Sequence, residues 1–228
     1  MYVIESSQRS SQRDSPFAAP GFNRHLSFPR SPANQVLVEF RDTICLMTPE
    51  LQTERLILRP LELADAEQTQ LLFPEWEIVK YLNSKVFWPY PAGRALIYYR
   101  DEALPNIARG DEWHWTLRLK ESPGTHIGVI SLFKGEWDNR GYWLGLPWHG
   151  RGLMTEAVVA VNDYWFDVLG FPVLRAPKAV ANIASRRISE KTGMRVIATH
   201  ERDYVSGRLM AEIWEITAEE WRAKRAEF

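Results

Sequence analysis

The two glycines in Trp148-His149-Gly150-Arg151-Gly152-Leu153-Met154-Thr155-Glu156-Ala157 constrain this chain more than any other stretch. They follow a strand signal at Tyr142–Leu146. They open the clearest helix signal, 153–169, where Leu153, Ala157, Val161, Tyr164 and Val168 recur at three- and four-residue steps. Glycine permits the tight turn and lets another group approach the backbone closely. The first N–H groups of the following helix have no acceptor inside it, and with the aligned peptide dipoles they can hold a phosphate. Arg151 would add a charged donor. The same residues also suit a plain tight connection. No Gly-Lys-Ser/Thr follows, as a P-loop requires, and the third glycine of the dinucleotide fingerprint is missing.

Around this turn the pattern predicts one α/β domain with a mixed sheet. Leu56–Pro60 reads as a strand. Leu61–Phe73 reads as helical, with Leu61, Ala64, Leu71 and Leu72 as its apolar positions; 75–82 and 92–107 are further helical pieces. Trp113–Leu119 alternates, with Trp113, Trp115, Leu117 and Leu119 on one side. Pro123-Gly124 marks a turn before a strand at Ile127–Phe133. Past the long helix, Gly170 is a stop. Val173–Val180 is a strand that Pro177 confines to an edge or a bulge. A helix over 182–192 ends at Gly193, a hairpin turns at Ser206-Gly207, and Thr217 caps a last helix.

With 228 residues the chain can bury a real core. Its formal net charge of -1 argues against a large nonspecific nucleic-acid surface, and no basic aromatic motif supports direct RNA recognition. The only cysteine, Cys45, excludes an internal disulfide and a multi-cysteine zinc site, and suits a cytoplasmic setting. The histidines lack metal spacing, so no metal is expected. No apolar run approaches the roughly 18 residues of a membrane span. Residues 1–46, rich in serine and proline at their start, read as a partly disordered extension or as the product of a wrong start codon, with Met47 as the alternative start; the compact domain is then 47–228.

Over about 50–222 the chain resembles the GCN5-related N-acetyltransferase (GNAT) superfamily, in the branch of ribosomal-protein-alanine/serine N-acetyltransferases. The resemblance rests on Leu51-Gln52-Thr53-Glu54-Arg55-Leu56-Ile57-Leu58-Arg59-Pro60, on Ile127-Gly128, and on Gly141-Tyr142-Trp143-Leu144. It rests most on 150–157 and on Asn182-Ile183-Ala184-Ser185-Arg186-Arg187-Ile188-Ser189-Glu190-Lys191-Thr192-Gly193-Met194. It implies a mostly antiparallel sheet with splayed central strands flanked by helices. It also implies transfer of an acetyl group from acetyl-CoA to a primary amine. By the same resemblance the pyrophosphate sits on His149, Gly150, Arg151, Gly152, Leu153 and Met154. The pantetheine arm then runs between Tyr142–Leu146 and Val173–Val180, past backbone groups of Leu144 and Leu146. Asn182, Ser185 and Arg187 open the next helix toward the arm or the leaving thiol. Pro147 stands where relatives often carry Gln or Arg.

The catalytic candidates are Ser185, Glu136, Asp138 and Tyr142. Ser185 can hydrogen-bond a leaving thiolate, Glu136 or Asp138 can accept a proton from the amine, and Tyr142 can assist or simply line the slot. Each carboxylate also reads as a solvated turn residue. His114 reads as a satisfied strand histidine. Trp76, Trp88 and Trp137 are candidates for an aromatic acceptor pocket, or close the core over the helices. The acceptor is a peptide N-terminus or a small molecule such as an aminoglycoside, and a non-catalytic acyl-CoA-binding module is the alternative. The chain is expected to act as a monomer or homodimer.

Overall fold

The structure, a computed structural model, describes residues 38–40, 43–45 and 48–227. Strands β1 (Val38–Phe40) and β2 (Thr43–Cys45) pair as a small antiparallel ribbon. The rest of the expected 1–46 extension lies outside the described residues.

Two sheets carry the domain. The first has the order β3 (Leu51–Gln52), β4 (Leu56–Pro60), β5 (Glu112–Leu119), β6 (Ser122–Phe133), β7 (Arg140–Leu144), antiparallel throughout. The second places β10 (Gly207–Thr217) between β8 (Val173–Ala179) and β9 (Arg195–Tyr204), again antiparallel. Helix α1 (Ala66–Leu72) and the short α2 (Trp76–Val79) follow β4. Helix α3 (Arg94–Tyr98) runs through a π-helical stretch, Tyr99–Ala103, into α4 (Leu104–Ala108). Helix α5 (Leu153–Asp163) continues in a second π-helical stretch to Val168. Helices α6 (Ile183–Lys191) and α7 (Ala218–Arg225) complete the chain.

Side-chain alternation on β5 separates the two faces of the first sheet. Trp113, Trp115, Leu117 and Leu119 are buried toward α5 with Leu153, Ala157, Val161 and Tyr164, as the sequence periodicities predict, whereas Val168, the last of that repeat, is exposed. Buried indoles commonly have the ring N–H bonded. Trp115, Trp165 and Trp221 donate to the Pro49 carbonyl, the Val173 carbonyl and Asp163 at 2.7, 3.0 and 3.0 Å. Helix ends follow their caps: Asn182 accepts from the Ser185 N–H, and Thr217 with Glu220 forms a reciprocal capping box.

Three local expectations are corrected. The turn between β5 and β6 is at Lys120-Glu121, because Leu119 pairs with Ser122, so Pro123-Gly124 lies inside an irregular strand. Leu71 is 70 % exposed; α1 buries Ala66 and Thr69 instead. The 75–82 segment gives only a four-residue helix, α2. Pro177 lies on β8, an edge strand whose only ladder is to β10, where a missing N–H is tolerated.

The tip of the β9–β10 hairpin is tied to the loop after α2. Val205 N–H donates to the Leu82 carbonyl (3.0 Å) and Ser206 N–H to the Lys80 carbonyl (3.1 Å), beside an Asn83–Tyr204 bridge.

Candidate active site

Strands β7 and β8 start together and then part. Asn139 N–H donates to the Arg175 carbonyl (2.7 Å), and the Arg175 N–H donates back to Asn139 Oδ1 (2.7 Å). Beyond that pin the two strands share no ladder, which leaves a slot between the sheets.

One mouth of the slot is the glycine turn. Gly150 and Gly152 have φ of +74° and +78°, a region that favours glycine. A Cβ at Gly150 would meet only open space. Gly152 is the N-cap of α5 and brings no side-chain acceptor. The first helical bond runs from Glu156 N–H to the Gly152 carbonyl, so the N–H groups of Leu153, Met154 and Thr155 have no intrahelical partner. Arg151 is exposed at the turn. This is a cradle into which an anionic group fits.

The turn is braced from β4. Glu156 accepts from Thr53 Oγ1, from the Arg55 N–H (2.7 Å) and from Arg55 Nε (2.7 Å), while Arg55 also donates to the Arg151 carbonyl (3.0 Å). Burial would raise the Glu156 pKa, but these donors outweigh it and hold the carboxyl below its usual value. His149 Nε2–H donates to the Leu144 carbonyl at 2.7 Å. Leu144 is buried and Leu146 exposed; between them, the Gly145 N–H is taken by the Ile127 carbonyl (2.8 Å).

Deeper in, a polar cluster bridges the parted strands. Tyr142 Oη lies 2.8 Å from Ser185 Oγ, and Lys178 Nζ donates to Ser185 Oγ at 2.9 Å and to Tyr142 Oη at 3.4 Å. Lys178 is 5 % exposed and forms no ion pair among the described residues. Burial therefore lowers its pKa. For Tyr142, burial pushes the pKa up, but the Lys178 ammonium, the Arg140 guanidinium and the two hydrogen bonds outweigh it and leave the phenol more acidic than usual. Arg140 is itself buried, bonded to Asn162 and to the Met194 sulfur, and burial pushes it down to about 10.

On the opposite face of the first sheet lies a cavity of about 510 Å³. Phe73, Tyr90, Tyr98 and Trp143 supply its aromatic wall; Glu102, Glu112 and Asp138 supply carboxylates, and Tyr142 links it to the slot. Asp138 donates nothing and accepts from Arg202 at 2.8 Å; burial raises its pKa against the pull of that arginine.

Of the residues singled out by sequence, Tyr142 and Ser185 meet, Asn182 orients the helix that carries Ser185, and Asp138 stands at the cavity wall. Arg187 is exposed on α6, and Glu136 is exposed, its carbonyl held by Arg175 (3.0 Å). Trp76, Trp88 and Trp137 do not line the cavity. Trp76 and Trp88 pack on each other at 5.3 Å, and Trp137 stacks under Arg175 at 4.7 Å; all three are at least 40 % exposed. Sequence reasoning passed over Lys178, Asn139, Glu112 and Ser131. Ser131 had one available signal: a polar residue inside the strongly apolar end of its strand.

Two antiparallel sheets parted beside a glycine turn, with a polar cluster across the gap, define an α/β domain with an anion-holding mouth on a slot between its sheets. The acetyltransferase (GNAT) domain family model matches residues 55–195, and the chain belongs to that family. "Probable N-acetyltransferase YjcK" of Bacillus subtilis (strain 168) is 31 % identical over 156 residues, 63 % of this chain and 82 % of that protein. Among solved structures, the ribosomal-protein-S5-alanine acetyltransferase from Vibrio fischeri superposes with a TM-score of 0.63 at 14 % identity, over 75 % of this chain and 98 % of that one. A ribosomal L7/L12 alpha-N-protein acetyltransferase in complex with coenzyme A gives 0.61 at 16 %, over 75 % and 97 %. Among the described residues, no three His, Cys, Asp or Glu side chains gather as a metal site requires, and no helix is long and apolar enough to cross a membrane.

Proposed function

We propose that the chain transfers the acetyl group of acetyl-CoA to a primary amine that enters the aromatic cavity as a cation, either the first residue of a polypeptide or a small amine. The observation that carries this reading is the Tyr142–Ser185–Lys178 cluster, set where the slot meets the cavity. Acetyl-CoA, when bound, supplies the acetyl group as a thioester. The open N–H groups of Leu153 and Met154, with Gly150, Arg151 and Gly152, would hold its pyrophosphate. The slot between β7 and β8 would hold its arm.

The chain's own residues then do two things. Phe73, Tyr90, Tyr98 and Trp143 enclose the carbon body of the acceptor, while Glu102 and Glu112 draw its ammonium inward. Holding both partners in one geometry supplies much of the rate. At the other end, Ser185 Oγ, Tyr142 Oη and Lys178 Nζ place donors where negative charge builds on the departing sulfur. The acidified Tyr142 holds the proton that sulfur needs, and Lys178 restores it.

The test is release of free thiol from acetyl-CoA across a panel of peptides with different first residues, polyamines, amino acids and aminoglycosides. Turnover of an amine, with Lys178→Met and Ser185→Ala each slowing it by about 10²-fold, supports the reading. Tight acetyl-CoA binding with no transfer to any amine returns the chain to a non-catalytic acyl-CoA-binding module.

A further inference from the structure

The cavity floor holds a second hydrogen-bonded series, of which the acetyl-transfer chemistry above uses only the Glu112 charge. Glu112, His114 and Ser131 lie side by side on β5 and β6, on the face opposite the buried tryptophans. Glu112 Oε2 is 2.7 Å from His114 Nε2, and His114 Nδ1 is 2.9 Å from Ser131 Oγ. The second oxygen of Glu112 accepts from Asn106 Nδ2 at 2.7 Å. All four residues line the cavity, yet His114 is only 2 % and Ser131 6 % exposed.

The direction of these bonds follows from the partners. A carboxylate accepts only, so His114 Nε2 carries the hydrogen and donates to Glu112. Nδ1 is then the free lone pair and accepts from the Ser131 hydroxyl. The edge of the Phe133 ring packs on the imidazole at 5.6 Å and keeps it in place.

Strand register aims the series. His114 pairs with Ser131, and Ser131 pairs with Gly141 on β7, the strand that borders the slot. Gly141 has no side chain to stand between the Ser131 hydroxyl and that border, and a Cβ there would press on the Phe133 ring at 3.2 Å.

We propose that Ser131 and His114 form the proton exit for the acceptor ammonium. The inference rests on the acetyl-transfer reading. The ammonium gives one proton to Ser131 Oγ as Ser131 gives its own to His114 Nδ1. The imidazolium so formed is paired with the Glu112 carboxylate. The amine nitrogen keeps its electron pair for the new C–N bond, and the pair of the broken C–S bond leaves with sulfur, which takes its proton from Tyr142 as Lys178 reprotonates the phenol. The nitrogen sheds its second proton as the amide forms, and that proton replaces the one Lys178 gave. Ser131 touches the acceptor; His114 and Glu112 act through it. The other titratable groups lining the cavity among the described residues are Tyr98 on α3, Tyr99 and Glu102 on the π-helical stretch, Lys85, Tyr90, Arg94, Asp138 and Tyr142; Arg94 is paired with Glu102 and Arg202 with Asp138. Burial pushes Tyr98 and Tyr99 far up, so they stay protonated over the working range.

A purely structural histidine and a proton exit differ in one readout. The exit matters for an amine that arrives protonated and not for one that arrives neutral. Wild type, His114→Gln, Ser131→Ala and Glu112→Gln are assayed at pH 7 with an alkylamine and with an arylamine that is neutral at that pH, and kcat/KM is followed from pH 6 to 10. Acetyl-CoA affinity and thermal midpoint are measured alongside. The expected result is a loss of 30-fold or more with the alkylamine, under 3-fold with the arylamine, and recovery of the alkylamine rate as pH rises. Should His114→Gln not fold, Ser131→Ala decides alone. Equal losses on both amines, or a loss that pH does not restore, overturn the proton exit while acetyl transfer stands. A wild-type protein that acetylates neither amine class overturns the acetyl-transfer reading, and the proton exit falls with it.

Discussion

Lys178→Met should leave the protein as stable as before or more so while it disables the chemistry. Lys178 is 5 % exposed, and among the described residues its ammonium hydrogen-bonds two hydroxyls. Taking an ion out of water costs several kcal/mol after relaxation. Each unit by which a lysine pKa falls on folding costs about 1.4 kcal/mol of stability, and the direction here is downward. Against that stand two hydrogen bonds to a charged donor, worth about 1.5–3 kcal/mol each. Methionine has nearly the volume of the lysine stem, and Tyr142 and Ser185 stay bonded to each other at 2.8 Å, so neither hydroxyl is orphaned. Replacing buried ionic groups by apolar ones of like volume is often neutral or stabilising by about 1–4 kcal/mol. A gain of about 1 kcal/mol is expected, a rise of about 2–4 °C in melting midpoint for a domain this size. The sign with pH follows from the lowered pKa. The lysine penalty is complete below the folded value and disappears above 10.5, where the unfolded lysine is neutral too. The advantage of the variant should therefore fade as pH climbs toward that value. Calorimetric melts from pH 7 to 10.5 measure it. Destabilisation by more than about 1 kcal/mol at pH 7, or a gain that does not fade with pH, would refute the reasoning.

Glu156→Gln loosens the brace between β4 and the glycine turn and should cost about 1–3 kcal/mol at pH 7, at the low end because Arg55 is half-exposed. The Glu156 pKa is lowered in the fold, so its contribution is present above the ordinary carboxyl value and lost as pH falls through the folded one; urea midpoints of the variant and wild type should converge as pH falls below that folded value. Asn139→Ala removes the acceptor of the Arg175 N–H at the point where β7 and β8 part. It should cost about 1–3 kcal/mol and weaken acetyl-CoA binding in calorimetry, whereas unchanged affinity would mean that the slot width is set elsewhere. Gly152→Ala forces a side chain to φ of +78°, costing about 1 kcal/mol. It should weaken binding of 3′,5′-adenosine diphosphate, which has no thioester arm.

Where neighbours in sequence decide the structure, the sequence was readable. The alternation Trp113-His114-Trp115 sorts one face of β5 from the other, the three- and four-residue repeat from Leu153 marks the core side of α5, and Asn182 and Thr217 cap the helices they precede. The glycine turn was readable for the same reason. Lys178 was not. It reads as a lone basic residue after a proline, and its meaning comes from Tyr142, 36 residues away, across a gap with no ladder to fix the pairing. His114 reads as a strand histidine from its own neighbours; its partner Ser131 lies 17 residues on and is set by the register of β5 and β6. The tryptophans misdirected because abundance in a loop says nothing of which way a ring turns. Trp76 and Trp88 turned toward each other, and Trp137 toward Arg175.

The ties between Leu82 and Val205 and between Lys80 and Ser206 give the gap between the sheets a second fixed point, opposite Asn139 and Arg175. A hinge fastened at one end swings freely; one latched at both ends can only bow. Any widening to admit a long thin molecule must then pull on the latch, and the latch is attached to the rim of the neighbouring hollow through Leu82 and Asn83. The two openings share a frame. If filling one changes the tension on the other, reciprocity of coupling requires the second occupant to act back on the first by the same factor.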